Sequence, residues 1–230
     1  MKFLVFEDFC YIAIRKNASQ FFTNYFEKEL GWKEVTIHDI DWGHTKVFSH
    51  ISDPLKRHIK GIAQAIDNDE IIRGIFNHPT YRSIFGHSIL DEHCVPLYLT
   101  LGKNVEKIDW ILLDSIIPSE ILTNKFLSKY NIKNSITKLP SYATIRNSGE
   151  NRTRATRSII ESLIDQHSQR DMLNLVYEQD KQLYYKVNFH FKNFVESSIT
   201  KFNLPIQDII NNTDIWNSIH WDEISWLQNE

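Results

Sequence analysis

Cysteine is nearly absent. The chain has two, Cys10 and Cys94, far apart in sequence, which argues against a disulfide framework and a cysteine-based zinc site and suits a reducing compartment. Long apolar runs are missing too. None approaches the ~20 residues of a membrane-spanning helix, and the apolar opening Met1 to Phe6 meets Glu7 and Asp8 too soon to be the core of a signal peptide. The expectation is a cytoplasmic protein without a membrane span. Excess positive charge is also lacking. The net charge is -3, so neither nucleic acid nor an anionic membrane surface is suggested as a partner. There is no internal repeat. His78, His87 and His93 stand among turn residues, but their spacings of nine and six match no known ligand pattern and no carboxylate is fixed beside them. No metal is expected.

What is present is enough apolar side chain for a sizeable core. With 230 residues, 42% hydrophobic and 13% aromatic, the chain reads as one domain, its core covering about 1–185 and a C-terminal helical embellishment about 186–230. The most informative stretch is 10–30. Cys10 to Ile14 are apolar and β-prone, Arg15 to Gln20 are small, polar or cationic, and Phe21, Phe22, Tyr25, Phe26 and Leu30 repeat at helical spacing before Gly31. This reads strand, loop, helix. Such a loop points backbone N–H groups and the positive end of a helix dipole into one small space, and Lys16 adds a full charge there. An anion site for phosphate or a phosphate-like group follows. The loop has neither the glycines nor the Lys-[ST] pair of a Walker A motif.

Further strands are expected at Lys2 to Phe6, as an edge, at Glu34 to His38, at Lys46 to Ser52 and at Val105 to Leu113. Strand, helix, strand is the pattern of a parallel α/β sheet. Asp53 and Pro54 mark a helix start, with Leu55, Ile59, Ile62, Ala63 and Ile66 on one face and Lys56, Arg57, Lys60 and Gln64 on the other. Helices are expected at Asp69 to Phe76, Ser119 to Tyr130 and Asp171 to Tyr185. Residues 138–149 read as a linker into a basic loop holding Arg146, Arg152, Arg154 and Arg157. Tyr81 to His93 reads as a substrate-facing excursion. Trp216, Trp221 and Trp226 are read as packing.

Ile14-Arg15-Lys16-Asn17-Ala18-Ser19-Gln20 resembles the 5'-phosphosulfate loop of sulfotransferases at Ile14, Lys16 and Ser19. It departs at Arg15, where the family has Pro, and at Gln20, where it has Thr. Ser52-Asp53-Pro54, with Arg57 three residues on, resembles the family's 3'-phosphate turn, with Ser52 in place of its Arg and Lys60 in place of its Ser. His93-Cys94-Val95-Pro96-Leu97 is similar to the His-x-x-Pro-Gln segment of carbohydrate sulfotransferases, and Tyr177, Asp180 and Tyr184 are similar to their Tyr-x-x-Asp-x-x-x-Tyr helix.

The resemblance implies a P-loop-NTPase-like three-layer α/β fold with a mostly parallel central sheet, and a metal-free transfer from 3'-phosphoadenosine 5'-phosphosulfate to a hydroxyl of a glycan or other small acceptor. It implies Lys16 on the leaving oxygen. Arg15, Lys16, Asn17, Ala18, Ser19 and Gln20 would hold the 5'-phosphate, and Ser52, Arg57, Lys60, Arg152 and Arg154 the 3'-phosphate. An acceptor hydroxyl also needs a base; His38 ranks first, His44 second and Asp41 third. Two alternatives stand beside this: a nucleotide-binding module that lost transfer, and a P-loop kinase.

Overall fold

The structure, a computed structural model, describes residues 1–67, 94–115, 117–132, 142–166, 169–205, 208 and 212–218. The expected Asp69 to Phe76 helix, His78, the Tyr81 to His93 excursion with His87 and His93, Ser141 and the residues before it in the linker, Trp221 and Trp226 lie outside them. No helix among the described residues is long and apolar enough to cross a membrane.

Five strands form one mixed sheet: β1 (Lys2–Phe6), β2 (Phe9–Ala13), β3 (Lys33–Val35), β4 (Lys46–Ile51) and β5 (Ile108–Leu112), in the order β3-β1-β2-β4-β5. The centre is parallel. β2 runs alongside β4 with Cys10 opposite Val47, and β4 alongside β5 with Phe48 opposite Asp109. β1 is antiparallel to both neighbours. It is therefore an interior strand, not the expected edge. On one side Phe6 pairs with Phe9, so only Glu7 and Asp8 turn the chain, with Glu7 at φ 50, as a two-residue hairpin requires; on the other, β3 covers it, with Phe3 opposite Val35. The edge is β3, which ends at Val35 and does not reach His38. Its exposed Lys33 and Glu34 discourage further pairing, and Lys2 Nζ holds it through Glu34 at 2.8 Å.

Side-chain alternation gives the sheet two apolar faces. One carries Tyr11, Phe48 and His50, and against it lie α1 (Ser19–Asn24), continued by a π turn at Tyr25–Glu29, and α4 (Ser119–Lys129). Tyr11 meets Phe26 at 4.7 Å between ring centroids, and Phe48 meets Phe126 at 4.7 Å. Gly31 at φ 70 stops the first helix, as its place in the sequence predicts. On the other face α7 (Glu178–Phe191) packs against β5.

A second cluster joins α2 (Pro54–Asp67), α5 (Tyr142–Gln166) and α6 (Gln169–Val176) through Ile59, Ile62, Ala63, Ile160, Ile164, Leu173 and Tyr177. Two expectations change here. Residues 142–157 are not a loop but the first turns of α5, a helix anchored by Ile160 and Ile164 on α2; arginine and alanine suit such a helix. The Asp171 to Tyr185 helix is two helices, meeting at the buried Tyr177. The described residues also form the short α3 (Leu97–Leu101), α8 (Ser197–Thr200) and α9 (Thr213–Ser218).

Candidate functional site

The parallel strands β2, β4 and β5 all end at one edge, the place where open α/β sheets hold their ligands. Beyond β2 the chain turns sharply. Asn17 N–H donates to Ile14 O at 3.1 Å, and Lys16 and Ala18 take positive φ of 67° and 55°. Each costs on the order of 1 kcal/mol for a residue with a Cβ, so something must hold them. Asn17 does so from the middle of the loop. Its side chain is 1% exposed; Nδ2 donates to His50 O at 2.8 Å, and Oδ1 accepts from Ser52 Oγ at 2.7 Å. The loop is thus tied to the last turn of β4. Arg15 and Gln20 are exposed, and Lys16, Ala18 and Ser19 half-buried. Ala18 occupies the N-cap of α1 with no side-chain cap, which leaves the helix start to backbone amides.

Beyond β4, Asp53 Oδ1 accepts from Lys56 N at 2.9 Å, capping α2 as its Asp-Pro start predicts. Asp53 N–H in turn donates to Asp114 Oδ2 at 2.9 Å, and burial first, then the nearby charge of Asp114, pushes the phenol of Tyr184 on α7 up. Asp114 is exposed just past β5. The sequence reading passed over it, although an apolar strand ending in a carboxylate was a signal for it.

The remaining candidates divide. Arg57 is not on a solvated face: it is 2% exposed, donating from Nη2 to Val95 O at 2.7 Å, and lies 3.6 Å from Asp180. Ser52 is 3% exposed and its hydroxyl proton goes to Asn17. Lys60 is half-buried on α2, Arg154 is exposed on α5, and Arg152 belongs to the same helix. His38 is exposed in a 3-10 turn (Ile37–Asp39) capped by Thr36 and Asp39. It shares the edge with the loop, but β1 stands between, a separation of roughly 10 Å. His44 and Asp41 pair at 2.8 Å ahead of β4, at the other end of the strands and roughly 20 Å from the loop. They do not join the edge.

Three of the sequence segments meet behind it. Tyr177 Oη donates to the Cys94 carbonyl and lies 2.9 Å from His58 Nδ1. Asp180 accepts from Leu97 N at 2.7 Å and Tyr98 N at 3.3 Å. Burial pushes its carboxyl above the usual range, opposed by Leu97 N–H and Arg57. The helix 178–191, the turn 94–98 and α2 are thereby locked to one another.

His50 lies under the loop, fully buried, stacked 3.8 Å from Phe22. Thr123 Oγ1 donates its one proton to Ser119 O at 2.7 Å, so it accepts from His50 Nε2 at 2.8 Å. Burial pushes the imidazole down to about 3. It is a neutral strut, not a base. No family model, curated protein or solved structure matches the chain.

Proposed function

We propose that the chain is a sulfotransferase with a P-loop-like core, using 3'-phosphoadenosine 5'-phosphosulfate at the edge formed by the loop 15–18, the N-terminus of α2 and Asp114. The observation that carries the reading is the glycine-free loop after β2, held in a two-bend shape with Lys16 beside the start of α1. Its support is the meeting of Ser52 to Arg57, Cys94 to Leu97 and Tyr177 to Tyr184 in one bonded cluster behind that loop. In the reaction the acceptor oxygen forms a bond to sulfur while the bond from sulfur to the bridging oxygen breaks, and the nucleotide leaves as 3'-phosphoadenosine 5'-phosphate. Lys16 and the loop amides offset the charge that gathers on the leaving oxygen. Asp114 takes the acceptor proton, in place of His38, which β1 separates from the loop, and of His44 and Asp41, which open on the far edge. Incubation with labelled sulfate donor and a panel of glycans, phenols and peptides tests this: labelled product is expected with at least one hydroxyl class. No transfer with any of them, under conditions where the donor binds, favours the module that lost transfer.

A second reading has its own observation. Asp53 and Asp114 are linked at the ends of β4 and β5, and two carboxylates beside a phosphate loop suit a magnesium nucleotide, as in a P-loop kinase. Tighter binding of ATP with magnesium than of the 3'-phosphorylated nucleotide without it would select that reading.

A further inference from the structure

We propose that Asn17 and Ser52 are positioning residues: together they hold the loop between β2 and α1 in the shape that presents Lys16 and the loop amides to the donor. The proposal rests on the sulfotransferase reading of the same edge. Asn17 and Ser52 are 1% and 3% exposed, too enclosed to meet a ligand directly. Ser52 has one hydroxyl proton, and it goes to Asn17 Oδ1 at 2.7 Å. Asn17 Nδ2 reaches the carbonyl of His50 at 2.8 Å, so one amide side chain bridges two consecutive features of β4's end. The residues on either side of Asn17 are the two with positive φ. A conformation that unfavourable persists where its surroundings over-determine it, and these two bonds tie this loop to β4's end.

The consequence reverses an expectation drawn from the resemblance. Ser52 occupies the place of the family's phosphate-binding Arg, yet here it faces inward to the loop, not outward to an anion. Ser52→Arg would put a guanidinium into a closed slot and displace Asn17, so it should damage the site and not restore one. A cation for the 3'-phosphate then comes from another residue; with Arg57 buried on Val95 and Asp180, Lys60 on α2 is the next of the sequence candidates along the chain.

The test uses Asn17→Ala, Ser52→Ala, Ser52→Thr, Ser52→Arg and the double alanine variant. Two quantities are read on the full chain: amide hydrogen exchange at Lys16 to Gln20, and affinity for 3'-phosphoadenosine 5'-phosphate with kcat and KM measured separately. Asn17→Ala should speed exchange in the loop by about tenfold or more and lower affinity and kcat together by about 10- to 100-fold, the scale of a small misplacement of a reacting group. Exchange in β4 and α4 should stay as in the wild type. Ser52→Thr, which keeps the hydroxyl, should behave as wild type, Ser52→Ala should share the defect, Ser52→Arg should be at least as poor, and the double variant should add little to Asn17→Ala. Unchanged loop exchange and affinity in both alanine variants would overturn the proposal. If the wild type does not bind the nucleotide, the sulfotransferase reading fails, and loop exchange alone decides the clamp. If Asn17→Ala does not fold, the contrast between Ser52→Thr and Ser52→Ala decides it.

Discussion

Asp180, behind the ligand-facing edge of the sheet, and Asp109, near the opposite edge, are each 1% exposed, and the two regions treat a buried carboxylate in opposite ways. Asp180 has Arg57 and two backbone N–H groups. Asp109 has the hydroxyl of Tyr130 at 3.5 Å on one oxygen, and its other oxygen has no hydrogen-bond partner. Lys46 and Lys129 act on it only through their charge, and burial pushes its carboxyl up to about 6. The difference teaches where the fold commits polar groups to geometry. Around the ligand-facing edge nearly every buried polar group bridges two elements, whereas at the far edge a charge is tolerated with little fixing it.

The largest effect that would sharpen this contrast is on stability. Asp180→Ala leaves Arg57 buried without its carboxylate and frees the N-terminal amides of α3, so it should cost about 3 to 5 kcal/mol in urea unfolding. A loss below about 1 kcal/mol would break the comparison, because Asp180 would then be no better integrated than Asp109. Next in size is a catalytic effect. Lys16→Ala should lower kcat by about 10²-fold while weakening donor binding less, since a charge on the leaving oxygen matters most in the transition state. Equal losses in kcat and affinity would make Lys16 a binding residue only.

At the far edge the expected effect depends on pH. The folded carboxyl of Asp109 holds its proton up to about pH 6 against an ordinary value of 3.8, so the folded state binds more protons than the unfolded chain between those limits. Its contribution to stability is fully present below about pH 4 and is lost as pH rises through 6, a change of up to about 3 kcal/mol. Asp109→Asn should remove this slope and stabilise the protein at pH 8 by about 1 to 2 kcal/mol. Parallel wild-type and variant stability curves between pH 4.5 and 8 would show that Asp109 is not the group that titrates. The smallest effect belongs to the loop. Ala18 sits at φ 55 and ψ 22, where glycine is at ease, so Ala18→Gly should raise stability by about 0.5 to 1 kcal/mol. A loss would mean that the methyl group packs well enough to outweigh the strain.

Local signals were legible in the sequence and distant pairings were not. The strand, loop and helix across 10–30 and the Asp53 cap are set by near neighbours, and both appear where expected. The place of β1 depends on a two-residue hairpin and on β3, whose strand signal near Glu34 was legible but whose pairing with β1, distant in sequence, was not. Arg57 looks solvated because it sits among Lys56 and Lys60, and its partners Val95 and Asp180 come from distant segments. Residues 142–157 carry turn-prone Asn147, Ser148 and Gly149, yet they belong to a helix that α2 holds from the other end. For the site, the sequence marked Lys16 and its loop but read Ser52 as a ligand, because a hydroxyl's direction is invisible without its acceptor. It ranked His44 by position after an expected core strand, whereas the turn that holds it precedes β4.

On the proposed reading, the edge where β2, β4 and β5 end binds a nucleotide with phosphates at both 3' and 5' positions, without magnesium. Calorimetry on the wild-type chain with 3'-phosphoadenosine 5'-phosphate and with AMP, each in the presence of a chelator, tests it most directly. Micromolar or tighter binding of the doubly phosphorylated nucleotide is expected, with at least about tenfold weaker binding of AMP, the difference a charged hydrogen bond supplies. Equal affinities, or binding that appears only when magnesium is added, would contradict it.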